Sequence, residues 1–105
     1  MKMIKAILRP EKEPEAIGAL EKAGFAALTK WDVLGRGRQK GIQVGATVYG
    51  EIAKTCLMLV FKDEEVAKAV ETVTAAVRTG HPGDGRIFVT DVKGAYTIRT
   101  GKAES

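Results

Sequence analysis

Between Cys56 and Phe61 the chain reads Cys-Leu-Met-Leu-Val-Phe, apolar at every position. In a strand, successive side chains point to opposite faces. Cys56, Met58 and Val60 therefore share one face, and Leu57, Leu59 and Phe61 share the other. A strand of this kind asks for cover on both sides. The run is far shorter than the roughly 20 residues of a membrane span. The Met-Lys-Met-Ile-Lys start has the pattern of a strand and lacks the apolar stretch of a secretion signal. A chain of 105 residues makes one domain, so few elements are available to supply the cover.

Those elements can be read from periodicity. Lys2 to Arg9 alternates, with Ile4, Ala6 and Leu8 on one face and Met3, Lys5, Ile7 and Arg9 on the other. Pro14 suits the first turn of a helix and Gly24 its end; between them Ala16, Ile17, Leu20 and Ala23 form one stripe. Ala27 to Leu34 alternates again, with Ala27, Thr29, Trp31 and Val33 opposite Leu28, Lys30, Asp32 and Leu34. Thr55 to Lys62 is the third strand. Asp63 is placed to cap a second helix, whose Val66, Ala69, Val70, Val73, Ala76 and Val77 follow helical spacing. Arg86 to Val92 is a fourth strand, and Tyr96 to Thr100 a short fifth.

The order β-α-β-β-α-β predicts an α+β, ferredoxin-like sandwich: a four-stranded antiparallel sheet with two helices on one face. Two helices leave the other face open, although the third strand is apolar there too. Fully burying such a side chain is worth about 1.5–3 kcal/mol, and an exposed patch of them marks an interface. An oligomer packed through the open face is expected.

Residues 35–54 contain five glycines and no clear period, which predicts a long loop between the second and third strands. Loops of that length inside a compact domain are usually functional. The loop opens with Gly35-Arg36-Gly37-Arg38-Gln39-Lys40-Gly41. Glycines let the backbone approach an anion, and successive N–H groups can form an anion-binding nest. Gly83-Asp84-Gly85-Arg86 and Arg99-Thr100-Gly101-Lys102 repeat the theme. Each segment alone also reads as an ordinary turn or a solvated tail. Together they favour a polyphosphate ligand.

Catalytic groups are scarce. His81 is the single histidine and lies in a Gly/Pro turn, so no second imidazole is available for a His-based metal site. Cys56 is the single cysteine, which excludes an intrachain disulfide and a thiolate zinc cluster and fits a reducing, cytoplasmic setting. Asp63, Glu64 and Glu65 belong to a helix start, where carboxylates complement the dipole. The 17 Lys and Arg against 13 Asp and Glu leave a net charge of +4, a modest excess. The sheet aromatics, Trp31, Phe61 and Phe88, do not form the paired signature of a nucleic-acid platform. The residues describe a binding protein; neither an enzyme nor a nucleic-acid or membrane-inserted module is expected.

Gly-Arg-Gln-Lys-Gly at 37–41, Thr-Gly-His-Pro-Gly-Asp-Gly-Arg-Ile-Phe-Val at 79–89 and Ile-Arg-Thr-Gly at 98–101 resemble the P-II nitrogen-regulatory signalling family, in the same order of elements. The resemblance implies one P-II domain over residues 1–105, with a flexible T-loop at about 36–54 and a C-terminal tail at about 93–105. It implies a trimer that binds ATP or ADP between subunits, with Mg2+ and 2-oxoglutarate as further effectors. Carried over by position, the nucleotide set is Ile7, Thr29, Gly35, Arg36, Gly37, Arg38, Gln39, Val60, Gly83, Asp84, Gly85, Arg86, Phe88 and Arg99, the last reaching across from a neighbouring chain. Gln39 is the implied Mg2+ ligand, since an amide oxygen suits a hard cation. Gln39, Lys40, Gly41 and Lys54 form the implied 2-oxoglutarate site. Ile42, Val44, Thr47, Tyr49 and Glu51 form the implied target-binding part of the T-loop.

Some positions depart from the family pattern. Arg86 stands where most members carry Lys, Thr97 where many carry a second Arg, and Met58 where a Glu is frequent. The T-loop is shorter than in uridylylated members, and Tyr49 lies in Ala-Thr-Val-Tyr-Gly-Glu, not after Gly-Ala-Glu. The short loop and the Tyr-Thr-Ile-Arg-Thr-Gly ending are most similar to the nitrogenase-associated branch. That branch implies a homotrimer or a hetero-oligomer with a sister P-II-like subunit, and dinitrogenase as target. An ammonium transporter or glutamine synthetase is the alternative target.

Overall fold

The structure, a computed structural model, describes residues 1–36, 42–44, 47–49 and 51–104. Strand β1 (Lys2–Leu8) leads through a 3-10 turn (Pro10–Lys12) into α1 (Glu13–Lys22) and β2 (Thr29–Gly35). Two short strands follow, β3 (Ile42–Val44) and β4 (Thr47–Tyr49). After them come β5 (Ile52–Phe61), α2 (Val66–Val77), β6 (Gly85–Asp91), β7 (Tyr96–Thr97) and β8 (Lys102–Ala103). The main sheet has the order β2-β5-β1-β6 and is antiparallel throughout. This is the predicted ferredoxin-like sandwich.

The alternation in β1 points as expected: Ile4, Ala6 and Leu8 are buried beneath the helices. Leu57, Leu59 and Phe61 of β5 join them, with Ala16 and Leu20 of α1 and Ala69, Val73 and Val77 of α2. Phe25, just after α1, packs edge-on against Phe61 at 4.9 Å between ring centres. Among the described residues, no such layer covers the opposite face. Trp31, Val60 and Phe88 remain 40%, 46% and 47% exposed there.

Several boundaries differ from the sequence reading. β1 stops at Leu8, because Pro10 turns the chain and Arg9 becomes the residue before the 3-10 turn. β2 begins at Thr29 and includes Gly35, while β5 begins at Ile52, where Thr55 was expected. The irregular loop is correspondingly shorter, and it contains a hairpin in which Ile42 pairs with Tyr49 and Val44 with Thr47. Glycines mask this hairpin in the sequence, but its Ile-Gln-Val and Thr-Val-Tyr segments are good strand formers. Asp63 does not cap the second helix. The Lys62 N–H donates to Glu65 Oε1 at 3.1 Å, and the Asp63 carboxylate instead takes the amino group of Met1 at 2.8 Å. The expected fifth strand is split: residues 98–101 turn, and Tyr96–Thr97 pairs with Lys102–Ala103.

Candidate functional site

Antiparallel pairing brings the C-terminal ends of β1 and β2 to the same edge of the sheet as the N-terminal ends of β5 and β6. Gly35, where the first glycine-rich segment begins, and the Gly83–Gly85 turn therefore lie at one end of the sheet, although β2 and β6 are its outermost strands. Lys54 of β5 spans the gap. It pairs with Val33 of β2, its Cγ lies 3.6 Å from where a Cβ on Gly35 would stand, and its Nζ donates to the Gly83 carbonyl at 2.6 Å.

The turn before β6 is tightly built. Asp84 accepts from the backbone N–H groups of Thr79 at 2.9 Å and Gly80 at 2.8 Å, and also from the Thr79 hydroxyl. These donors, Thr79 above all, hold its carboxyl far below the usual carboxylate range. Arg9 completes the turn: its Nη2 donates to the Pro82 carbonyl at 2.9 Å, and its Nε lies 3.4 Å from Asp84 Oδ1. Gly85 has φ +111, and a Cβ there would meet the Ile7 carbonyl oxygen at 1.8 Å. Only glycine permits this approach of the turn to β1.

The implied site residues separate into groups. Lys54, Gly35, Gly83, Asp84 and Gly85 converge with Arg9 at this end of the sheet. Arg86 faces Ile7 across β1 and β6, and Ile7 in turn faces Cys56 and then Trp31. One row further along the open face lie Phe88, Lys5, Met58 and Thr29. Val60 is on that face beyond them, opposite Met3. Arg36 is exposed directly after β2. Arg99 is in the turn between β7 and β8; among the described residues no hydrogen bond or ion pair joins it to the Arg9–Lys54 cluster. Gly37, Arg38, Gln39, Lys40 and Gly41 lie outside the described residues. Ile42, Val44, Thr47 and Tyr49 belong to the β3–β4 hairpin, and Glu51 is exposed just before β5.

Two features sharpen the reading of individual residues. The Asp84 side chain is committed to its own turn, so a phosphate could meet only its backbone. An anionic carboxylate would in any case repel one. Arg9 was absent from the implied set, yet it bonds the same turn that Lys54 reaches, at the Pro82 carbonyl and Asp84. Its signal in the sequence was the alternation that puts it in phase with Ile7 on the open face.

The electrostatics favour an anion. Burial, and then the Arg9 charge, push the Lys54 amine below its usual value. Two cations crowded onto backbone carbonyls would be relieved by an incoming carboxylate or phosphate. Burial also pushes the Cys56 thiol up, which favours its neutral form on the sheet face. Among the described residues, no group of three or more His, Cys, Asp or Glu side chains is placed to hold a metal ion.

Comparison with known proteins identifies the family. The family model "Nitrogen regulatory protein P-II" matches residues 1–102. The nitrogen fixation nifHD1 region GlnB-like protein 1 of Methanosarcina barkeri is 53% identical over 102 residues, covering 97% of each chain. The corresponding nifHD region protein of Methanococcus maripaludis is 50% identical over 100 residues, covering 95% of each. The nitrogen regulatory protein P-II 2 of Methanothermobacter thermautotrophicus is 42% identical, covering 98% of this chain and 93% of its own. With a match over nearly its whole length, the chain belongs to the P-II nitrogen-regulatory family, and it is similar to members named for nitrogen-fixation regions.

Proposed function

We propose that this protein is an effector-reading regulator that binds ATP or ADP and 2-oxoglutarate and controls a target through its T-loop. The observation that supports this most is that Arg9 and Lys54 both reach the turn before β6, Arg9 at the Pro82 carbonyl and Lys54 at the Gly83 carbonyl. In this reading Ile7, Val60 and Phe88 supply apolar surface to the base and ribose. The backbone of Gly83–Gly85, with Arg86, receives phosphates. Lys54 and Arg9 receive the carboxylate of the keto acid. Arg36, exposed directly after β2, adds a further cation for the phosphates.

Mg2+ would offset the repulsion between a triphosphate and a doubly charged keto acid. Among the described side chains at this end of the sheet, Arg9 and Lys54 are cations and Asp84 is engaged in its own turn; the ligand that the family resemblance implies is Gln39, whose amide oxygen suits a hard cation, alongside phosphate oxygens.

The exposed apolar face of the sheet and the projecting Arg99 both suit a trimer in which one chain completes the site of the next. A mixed assembly with a sister subunit satisfies the same surfaces. The nitrogen-fixation nifHD-region names of the relatives support nitrogenase as the target. Among the described residues no helix is long and apolar enough to cross a membrane.

Titration calorimetry tests the core of this reading. ATP should bind alone, and 2-oxoglutarate should bind only when MgATP is present. No heat with nucleotide at millimolar concentration would overturn the reading. Equal keto-acid binding with and without MgATP would overturn the metal bridge.

A further inference from the structure

The helix-facing side of β5 carries one exception to its apolar pattern. Leu57, Leu59 and Phe61 are buried hydrocarbons, but Thr55 in the same row is a hydroxyl only 1% exposed. Its Oγ1 donates to Glu13 Oε2 at 3.2 Å. The other oxygen of Glu13 accepts from Lys30 Nζ. Lys30 is on β2, where it faces Leu57 of β5, while Thr55 faces Asp32. The first residue of α1 thus holds two adjacent strands at diagonal positions. These are the two strands between which the T-loop is inserted.

Thr55 directly follows Lys54. Because strand side chains alternate, fixing Thr55 against the helix layer fixes where Lys54 leaves the opposite face. We infer that Glu13, acting through the Thr55 hydroxyl, is a positioning residue that sets the Lys54 ammonium over the Gly83 turn. Lys30 holds the Glu13 carboxylate in its ionised form, the larger influence on that group, and Thr55 adds to it. The inference rests on the proposed role of Lys54 in keto-acid binding. It adds to that role a contact on the far side of the sheet which touches no ligand.

The test compares the full-length chain with Thr55→Val, which keeps the shape and removes the hydroxyl, and with Glu13→Ala and Glu13→Gln. Two quantities are measured: 2-oxoglutarate affinity at saturating MgATP, and ATP affinity without keto acid. Thr55→Val and Glu13→Ala should each weaken keto-acid binding about fivefold, the scale of one hydrogen bond, and their combination should be no worse. ATP affinity should stay within about twofold. Glu13→Gln, still able to accept from Thr55, should retain most of the keto-acid affinity. Unchanged keto-acid affinity in Thr55→Val, or an equal loss for both ligands, would overturn the inference.

The Lys54 titration, followed by NMR of its ε-methylene, separates this result from the functional reading. In Thr55→Val it should move up toward an ordinary lysine as the amine leaves its site. If the unaltered protein binds no keto acid, the functional reading falls while a moved titration still supports positioning. A Lys54 titration identical in both proteins overturns the positioning role.

Discussion

The turn at Thr79–Gly85 and the hairpin at Tyr96–Ala103 look alike in sequence, each a short Gly-containing stretch beside an arginine, yet they are held differently. The turn is fastened to the body: Asp84 gathers its backbone, Arg9 holds Pro82 and Lys54 holds Gly83. The hairpin is held mostly by itself, through Gly101 N–H to the Thr97 carbonyl at 2.7 Å and Glu104 N–H to the Ala95 carbonyl at 2.8 Å. At its tip Ile98 is 100% exposed. A fastened turn can offer a preorganised surface within one chain. The projecting tip, with Ile98 and Arg99 side by side, makes no such surface within the chain.

The sharpest way to break this comparison is to add one methyl group to each segment. Gly85→Ala should cost about 3 kcal/mol or more, since its Cβ would collide with backbone that cannot yield. Gly101→Ala, at φ +68 with open space around it, should cost only about 1 kcal/mol. Denaturant unfolding of both variants checks this, and equal losses would erase the distinction.

Next in size is Lys54→Ala. It should lower 2-oxoglutarate affinity more than about tenfold, the scale of a charge-assisted contact, with the fold retained. Calorimetry with parallel circular dichroism reads both, and an unfolded variant would make Lys54 a structural residue. The unaltered protein should also lose keto-acid affinity on the alkaline side at a lower pH than an ordinary lysine would dictate, because burial lowers the Lys54 titration.

Asp84 gives the fastened turn a pH dependence. Its native titration lies below its ordinary value of 3.8, so the unfolded chain takes up the proton first. The stabilisation is complete above the ordinary value and is lost as pH falls through it toward the native one. Asp84→Asn should flatten that acid limb in thermal melts taken across the range. The smallest effect belongs to Arg99→Ala, which should change unfolding stability by less than about 0.5 kcal/mol. It should still weaken ATP binding if the neighbouring chain uses this guanidinium, and unchanged ATP affinity would exclude that use.

The alternation of β1 and the helical stripes were enough to place most of the core, because burial repeats with the period of each element. The hairpin inside the loop was not legible, since glycine content hid two three-residue strands with good local propensity. Asp63 was misread as a cap because a local rule favoured it, whereas the Met1 amino group, distant in sequence, claims its carboxylate. Arg9 could be assigned a face but not a partner. Its partners, Pro82 and Asp84, lie more than seventy positions along the chain.

Local periodicity and turn chemistry by themselves determined the order of the four main-sheet strands and two helices, the apolar stripe of each, and the sheet face left without helices. Only the tertiary structure decided that Gly35 and the Gly83–Gly85 turn share one end of the sheet, that Asp84 serves its own turn, that Arg9 bonds that turn, and that Glu13 links Thr55 to Lys30. The reason is physical: periodicity records which side of an element is buried, whereas contacts between distant residues depend on strand order and register.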